Sequence, residues 1–350
     1  MLTTFNNIKL EGIIGAAGAE VIDITKACSR YMEEKKALRL VKSLGFQHVR
    51  QTAYPNTTAD LCGKAAQTLL KNLNISPCEI DAFIFVTQSP DYLVPANTYI
   101  WQTKLGLSQE CLMLDICQGC SGFIYGMFYA STLISANLCN RVLLCAGDTS
   151  CIVRDMAKMA QPANAALFGD GGCAALICKD ENTKNSYYSI QSNGELAHVI
   201  IGDKYSAKRF RSLERDANDN PPAPKGTQIN GVELSTYAMV NVQNDIRRLI
   251  DYAQIDFNDL SYLIMHQANK SLLSALAKTM DLDNNKVPFL AADTGNTSSA
   301  SIALALSENK DSLTELTVKP ALLCGFGVGM SIASVITDMS STKIYSPVYL

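Results

Sequence analysis

The stretch RVLLCAG at residues 141–147 returns in altered form as PALLCGF at residues 320–326, an offset of 179 residues. A second pair of apolar stretches, IDAFIFV at residues 80–86 and LSYLIMH at residues 260–266, is offset by 180 residues. All four stretches are short and apolar, which is typical of buried strands. Their shared order and offset indicate a duplicated unit.

A third pair, GCS at residues 119–121 and GNT at residues 295–297, keeps the order with an offset of 176 residues. Each member opens a helix-like run of small residues. Short buried strands that alternate with helices indicate layered α/β structure. We therefore predict two duplicated α/β halves with packed central sheets and buried helices. The predicted halves are residues 1–182 and 183–350.

The composition predicts a folded chain with a large core and excludes several classes of protein. Apolar residues make up 47% of the 350 residues and charged residues only 18%. The formal net charge of −3 disfavours a nucleic-acid-binding protein with a basic surface. We find no apolar run near the ~20 residues of a membrane span and no secretory signal, so we expect a cytoplasmic protein without a membrane span.

The cysteines could suggest disulfides or a metal, but their setting favours neither. Twelve cysteines and only three histidines occur in the chain. Most of the cysteines lie in apolar stretches, where they behave as small buried side chains. The pair Cys117 and Cys120 has the C-x-x-C spacing, yet a zinc site needs a second pair or spaced histidines. We expect no metal and no cofactor.

Cys120 is the strongest candidate for a nucleophile. It stands between the apolar stretch LMLDI at residues 112–116 and the helix-like run that starts at Gly122. A thiol in the first turn of a helix faces unpaired N–H groups, which lower its pKa and favour the thiolate. Taken alone, Cys120 could equally be one more buried cysteine.

Two further polar residues occupy positions that suit a functional site. His266 ends an apolar stretch, and α/β sheets bind ligands at the carboxyl ends of their strands; a half-buried structural histidine is the alternative. Asn296 could be functional or a helix cap. The glycine-rich loop at residues 325–329 could bring N–H groups to an oxyanion or form only a tight turn.

Together these segments resemble the ketoacyl-carrier-protein synthase III branch of the thiolase-fold condensing enzymes. The Cys, His and Asn motifs stand in the family's order, and weaker similarity extends from about Val41 to the C-terminus. The resemblance implies a thiolase-like fold. The motifs that carry it are DICQGCSGF at 115–123, LFGDG at 167–171, HQAN at 266–269, GNTSSAS at 295–301 and GFGVG at 325–329.

The resemblance also implies the chemistry. Cys120 would take an acyl group from a thioester, and a malonyl-type thioester on acyl carrier protein would lose CO₂ and attack the acyl-enzyme. His266 and Asn296 would stabilise the oxygen of the decarboxylating thioester. The N–H of Cys120 and one near Val328, in the loop with Gly327, would bind the oxyanion of the acyl intermediate, and Asn269 would face the pantetheine arm.

Three departures from the family pattern suggest a specialised member that uses another acyl group or another acyl donor instead of acetyl-coenzyme A. Arg39 stands where the family often has a tryptophan before Gly45, and Val94 replaces an aromatic residue of the acyl pocket. Val328 replaces a frequent glycine. The only tryptophan, Trp101, is expected to serve packing or a dimer contact.

The resemblance implies two protein contacts and no cofactor besides acyl-coenzyme A or acyl-carrier-protein substrates. A homodimer is expected, with Tyr99, Trp101 and the strand before Cys120 near the partner. The acidic carrier is expected to meet basic residues at the start of the irregular region 203–226, where substrate loops often occur. The residues chosen for that contact are Lys208, Arg209, Arg211 and Lys270.

Three alternatives stay open at this point. A papain-like cysteine hydrolase has the same order of Cys, His and Asn. A thiolase-fold subunit without catalysis would have no need for all three residues. An acyltransferase could pass the acyl group from Cys120 to an oxygen or nitrogen nucleophile without decarboxylation.

Overall fold

The computed structural model describes residues 1–30, 32–149, 167–202, 211–212, 214–220, 222 and 227–350. Its strands are β1 (Leu2–Phe5), β2 (Ile8–Ala17), β3 (Glu20–Asp23), β4 (His48–Gln51), β5 (Ala82–Val86), β6 (Leu112–Ile116), β7 (Arg141–Asp148), β8 (Gly171–Lys179), β9 (Ser186–Ser192), β10 (Ile200–Gly202), β11 (Thr227–Ile229), β12 (Leu263–Met265), β13 (Ala321–Gly327), β14 (Ser331–Thr337) and β15 (Lys343–Tyr349). Its α-helices are α1 (Ile24–Cys28), α2 (Glu34–Leu44), α3 (Thr58–Leu73), α4 (Asn97–Leu105), α5 (Gly122–Ser135), α6 (Gly231–Ala253), α7 (Lys270–Thr279) and α8 (Ser301–Glu308).

Two large sheets carry the duplicated stretches. One sheet has six strands in the order β15-β2-β8-β7-β5-β6, and the other has five in the order β1-β9-β14-β13-β12. In the first sheet β7 lies between parallel β5 and antiparallel β8; in the second β13 lies between parallel β12 and antiparallel β14. The stretches matched in the sequence therefore hold matching places in the two sheets.

Alternation of side chains along β7 and β13 explains why both faces of each sheet are apolar. In β7, Val142 and Leu144 face the central core, whereas Leu143 and Cys145 face the outer helices. In β13, Leu323 faces the same central core. Successive side chains of a strand point to opposite faces, so a strand between two helix layers needs apolar residues at every position.

The helices form three layers around the two sheets. Helices α5 and α8 lie between the sheets and share one apolar core with both of them. Helices α3 and α4 cover the outer face of the first sheet, and α6 with α7 covers the outer face of the second. The αβαβα layering predicted from the sequence is thus the observed architecture.

The terminal strands cross between the halves. Strand β1 joins the second sheet through β9, and β15 joins the first sheet through β2. The predicted boundary between residues 182 and 183 lies in the connection between β8 and β9. The division of the chain into two halves at this point stays a prediction. Within the described residues, no helix is long and apolar enough to cross a membrane.

Candidate active site

The carboxyl ends of the parallel strands in both sheets converge on one cavity of about 370 Å³. Cys120 follows β6 and precedes α5, while His266 directly follows β12. Asn296 precedes α8, and Val328 follows β13. All four residues line the cavity. The structure therefore brings together the three residues predicted to be catalytic and the loop predicted to bind the oxyanion.

The nucleophile turn, residues 119–121, has no room for side chains beside it. A Cβ added to Gly327 would lie 2.8 Å from both Cβ and Sγ of Cys120. A Cβ added to Gly325 would lie 2.6 Å from Cα of Ser121. Both glycines are needed because the backbone at the carboxyl end of β13 packs directly against the turn. This close approach brings backbone N–H groups to the sulfur.

A cluster of hydroxyl groups holds the nucleophile turn to the loop after β13. The Gln118 side chain donates to the hydroxyls of Ser121 at 3.0 Å and Ser331 at 2.9 Å, and these two hydroxyls lie 2.8 Å apart. Ser331 also donates to the carbonyl of Val328 at 2.8 Å. The position of the Val328 N–H relative to Cys120 is therefore fixed by side chains from both halves.

The protonation of Cys120 differs from the expectation based on the helix terminus. Burial raises the pKa of the Cys120 thiol to about 11, although the backbone N–H groups of Val328 and Cys120 itself lower it. The negative charge of Asp148 raises it further. The prediction of a depressed pKa is wrong for the resting thiol because the loss of hydration outweighs the helix terminus. The free thiol is thus mostly protonated at neutral pH.

His266 is buried and held in one orientation. Its Nδ1 lies 2.6 Å from the hydroxyl of Ser301, and that hydroxyl also accepts the N–H of Gln267 at 3.4 Å. We assign the Ser301 proton to Nδ1, which places the ring proton on Nε2, because the described hydrogen bonds give that hydroxyl no other acceptor. Burial lowers the pKa of His266 to about 3. The ring is a neutral hydrogen-bond donor to the cavity.

Asn296 is oriented by both its backbone and its side chain. Its N–H donates to Leu167 at 2.9 Å, and its carbonyl accepts from Gly169 at 3.0 Å. Its side-chain oxygen accepts the N–H of Ser298 at 2.9 Å. The amide oxygen is thus occupied, which leaves the NH₂ group as a donor. His266 and Asn296 provide two neutral donors in the same cavity.

The rest of the cavity wall is mainly apolar. Asn269 lies on it, with its side-chain oxygen capping α7 at the N–H of Leu272, 2.9 Å away. Strands β10 and β11 pair at Gly202 and Thr227, and Thr227 lines this wall. The aliphatic lining residues that come from α2, α6, α7, β10 and β11 are Leu40, Leu44, Ile200, Ile229, Leu234 and Leu272.

Comparison with known proteins identifies the family. The family model for 3-oxoacyl-[acyl-carrier-protein] synthase III matches residues 114–194, and the model for its C-terminal region matches residues 250–339. A beta-ketoacyl-[acyl-carrier-protein] synthase III of Lactiplantibacillus plantarum is 30% identical over 282 residues, which cover 80% of this chain and 83% of that protein. The chain belongs to the 3-oxoacyl-[acyl-carrier-protein] synthase III family.

Other members of the synthase III family agree with this assignment. The beta-ketoacyl-[acyl-carrier-protein] synthase III of Streptococcus agalactiae is 29% identical and covers 83% of this chain and 87% of its own length. The crystal structure of a 3-oxoacyl-(acyl-carrier protein) synthase from Burkholderia xenovorans is 28% identical, with a TM-score of 0.87, and covers 100% of this chain and 99% of that one. The predicted thiolase-like fold and the predicted acyltransferase family are confirmed, and the papain-like alternative is wrong.

Several residues predicted for the synthase III site lie elsewhere or lie outside the described residues. Val94 is 83% exposed and is not among the described lining residues, so its predicted place in the acyl pocket is not met within one chain. Lys208 and Arg209 lie outside the described residues. Arg211 is exposed, and Lys270 is exposed next to Asn269 at the rim of the cavity.

Trp101 packs inside its own chain, which agrees with the first of its two predicted roles, packing or a dimer contact. It is buried, and a Cβ added to Gly63 of α3 would lie 2.1 Å from its ring.

In the part of the chain that the structure describes, the cysteines are free thiols. No group of three or more His, Cys, Asp or Glu side chains among those residues could hold a metal.

The sequence analysis missed two polar residues that line the synthase III cavity and one that contacts a lining residue. Asp148 ends β7, Ser298 follows Asn296, and Ser301 contacts His266. Two sequence signals could have found them. Asp148 is an acidic residue at the carboxyl end of an apolar strand, and both serines belong to the serine-rich run after Asn296. Neither signal specifies a side-chain contact across the halves.

Proposed function

We propose that the protein loads an acyl group from a thioester onto Cys120 and condenses it, with decarboxylation, with a malonyl-type thioester on acyl carrier protein. The observation that carries this proposal is the convergence of a thiol and two neutral hydrogen-bond donors, His266 and Asn296, on one cavity. The relatives named for this reaction support the choice of substrates.

In the loading step, the sulfur of Cys120 bonds to the carbonyl carbon of the acyl donor, and the donor's carbon–sulfur bond breaks. The carbonyl oxygen gains negative charge in the tetrahedral intermediate. The N–H groups of Cys120 and Val328, which already face the sulfur, are in position to bind that oxygen. Gly327 allows this approach because it has no side chain.

In the condensing step, the extender thioester loses CO₂ and its carbonyl oxygen gains the negative charge of an enolate. The Nε2–H of His266 and the NH₂ of Asn296 donate to that oxygen. Both donors are neutral and cannot protonate the enolate prematurely at neutral pH, since the pKa of His266 is about 3. The carbanion then attacks the acyl group on Cys120. The step needs no cofactor.

The proposal includes a specialised acyl donor and a cytoplasmic location. Arg39 is exposed on α2, and Val94 is exposed outside the cavity of its own chain. Neither residue supplies the aromatic contact that the family often has at its position. We therefore propose a donor other than acetyl-coenzyme A.

The proposal also includes acyl carrier protein and a second copy of the chain as partners. Lys270 at the cavity rim and Arg211 within the irregular region are both exposed and are suited to an acidic carrier. Strand β6 is at the edge of its sheet, with Leu112 42% exposed, and Tyr99 is 58% exposed. An apolar edge strand of this kind is usually covered by a partner, which supports a homodimer.

Intact-mass measurement tests the proposal most directly. The wild-type protein is incubated with a panel of acyl thioesters, and an adduct of one acyl group is expected. Cys120→Ala should abolish the adduct, whereas the control Cys117→Ala, which changes an exposed thiol three residues away, should retain it. Addition of malonyl-carrier protein should then release CO₂ and a 3-oxoacyl product.

Two results would contradict the proposed function. An adduct of full yield in Cys120→Ala would show that another residue carries the acyl group. Loss of the adduct to an oxygen or nitrogen nucleophile, without release of CO₂ from the malonyl thioester, would favour acyl transfer without condensation.

A further inference from the structure

Removal of the proton from Cys120 needs a base that the Cys, His and Asn set does not supply. With a pKa of about 11, roughly one thiol in ten thousand is ionised at pH 7. His266 is a poor acceptor, because its Nδ1 is occupied by Ser301 and its Nε2 carries the ring proton. Asn296 has no basic atom. The proton must therefore leave by another route.

Asp148 is the only charged side chain among the described residues that line the cavity. Its Oδ1 accepts the N–H of Gln88 at 2.7 Å and the hydroxyl of Thr87 at 3.2 Å. Its Oδ2 accepts the N–H and the hydroxyl of Ser299, at 3.2 and 2.8 Å. Segments from both halves thus hold this carboxylate at the inner wall.

Ser298 connects the thiol to this carboxylate. Its hydroxyl interacts with both the Cys120 thiol and the Asp148 carboxylate, and all three side chains line the cavity. Its N–H donates to Asn296, which fixes its backbone. Ser298 also has a φ of 49°, in the left-handed region that non-glycine residues rarely adopt. Such conformations are concentrated at functional sites.

We infer that Cys120, Ser298 and Asp148 form a proton relay for the loading step. As the sulfur of Cys120 bonds to the acyl carbon, its proton passes to the oxygen of Ser298 while the proton of Ser298 passes to Asp148. When the carbon–sulfur bond of the donor breaks, Asp148 returns the proton by the same path to the leaving thiolate. Every proton is accounted for, and no further reactant is required.

The surroundings of Asp148 suit this role. Burial raises the pKa of its carboxyl from the ordinary value, so it is a stronger base than an exposed aspartate. The described groups that face it are Thr87, Gln88 and Ser89 after β5, Ser298 and Ser299 before α8, and Cys120 after β6. The only other titratable group among these is the thiol itself.

A matched pair of serine variants tests the relay within the proposed function. Ser298→Ala and Ser299→Ala each remove one hydroxyl group from Asp148, but only Ser298 also contacts the thiol. Ser298→Ala should slow single-turnover acylation of Cys120 by about 10²-fold, the usual contribution of a positioned acid or base. Ser299→Ala should cost less than about tenfold, as for one lost hydrogen bond. Equal rates in the two variants would overturn the relay.

Asp148→Asn should change the alkylation and the acylation of Cys120 in opposite directions. A purely structural role of Asp148 would not produce this result. The charge of Asp148 raises the pKa of the thiol, so its removal should shift the alkylation of Cys120 by iodoacetamide to lower pH. Acylation by a thioester should nevertheless become slower, because the base is lost. Faster alkylation with slower acylation supports the relay, whereas acylation at the wild-type rate overturns it.

The alkylation measurement also separates this inference from the proposed function. If no thioester acylates the wild-type protein, the proposed function fails, yet iodoacetamide still reports the state of the thiol. Ser298→Ala should then shift the alkylation curve to higher pH, because the hydroxyl lowers the pKa of the thiol. Ser299→Ala should not shift it. Identical curves for both variants and the wild type would overturn the relay.

Discussion

The nucleophile turn at residues 119–121 and its counterpart at residues 295–297 hold matching places, each just before a buried helix. They differ in what they present. Cys120 is half-buried and its sulfur is the proposed nucleophile, whereas Asn296 is 5% exposed and its amide oxygen accepts the N–H of Ser298. Under the proposed function, one duplicated backbone position serves covalent attack in one half and hydrogen-bond donation in the other.

The largest expected effect separates these two roles. His266→Ala and Asn296→Ala should still form the acyl adduct on Cys120, since both residues are assigned to the extender thioester and neither takes part in the loading step. Both should lower the rate of condensation by about 10²–10³, the usual cost of one lost oxyanion donor. Single-turnover mass spectrometry gives the loading rate, and CO₂ release gives condensation. Condensation at the wild-type rate in both variants would contradict the assignment of His266 and Asn296 to the condensing step.

Two glycines, one against each turn, sharpen the comparison. Gly327→Ala places a Cβ 2.8 Å from Cys120 at a φ of 153°, and should slow loading between about tenfold and a hundredfold. Gly169→Ala places a Cβ 2.0 Å from the carbonyl of Thr294, two residues before Asn296. It should reduce condensation more than loading. The same loading-to-condensation ratio in both variants would contradict the assignment, and thermal unfolding controls for stability.

A smaller effect is expected from Ser301→Ala. Without the hydroxyl, the Nδ1 of His266 loses its donor, and the ring no longer has one preferred tautomer. Condensation should fall by about tenfold, the cost of roughly one misplaced hydrogen bond. Loading should be unaffected, because Ser301 does not contact Cys120. Equal loss in both half-reactions would indicate a purely structural role.

The smallest expected effect is on pH dependence. His266 stays neutral down to pH of about 3, so its titration should not reduce condensation between pH 8 and 5. A fall with a midpoint near 6.5 that disappears in His266→Gln would contradict the buried neutral ring.

The same pKa has a consequence for stability. In the unfolded chain the pKa of histidine is about 6.5, so the unfolded state binds a proton between pH 6.5 and 3 that the folded state does not. The free energy of unfolding should therefore fall as the pH drops below 6.5, by about 1.4 kcal/mol per unit from this residue. Urea unfolding of the wild type and His266→Gln measures the difference in slope.

The architecture was predictable from the sequence wherever apolar patterns repeat. The stretches at β7 and β13 are recognisable because a strand buried on both faces must be apolar throughout. Of the proposed site residues, His266 directly follows such a strand, whereas Cys120 and Asn296 were singled out by the turns that precede helices and by the family motifs. The composition of β6 did not predict its edge position, since an apolar edge strand has the same composition as a central one; only the family resemblance placed this strand near an expected partner.

Contacts that cross between the halves were beyond the sequence. Asp148 and Ser299 are 151 residues apart in the chain, and their hydrogen bonds form only after the two sheets pack on the shared core. The pKa of Cys120 also depends on this packing, because burial is a property of the whole assembly. Local rules predicted a lower value because they see only the helix terminus.

The exchange of terminal strands has a consequence for synthesis on the ribosome. The sheet that carries Cys120 includes β15, which is translated after every element of the other half. The first half therefore emerges with the outer edge of β2 uncovered, while β1 waits for β9. Vectorial folding, one half at a time, would leave two open sheet edges during translation, and the edge of β2 can be covered only after β15, the last strand, has been made.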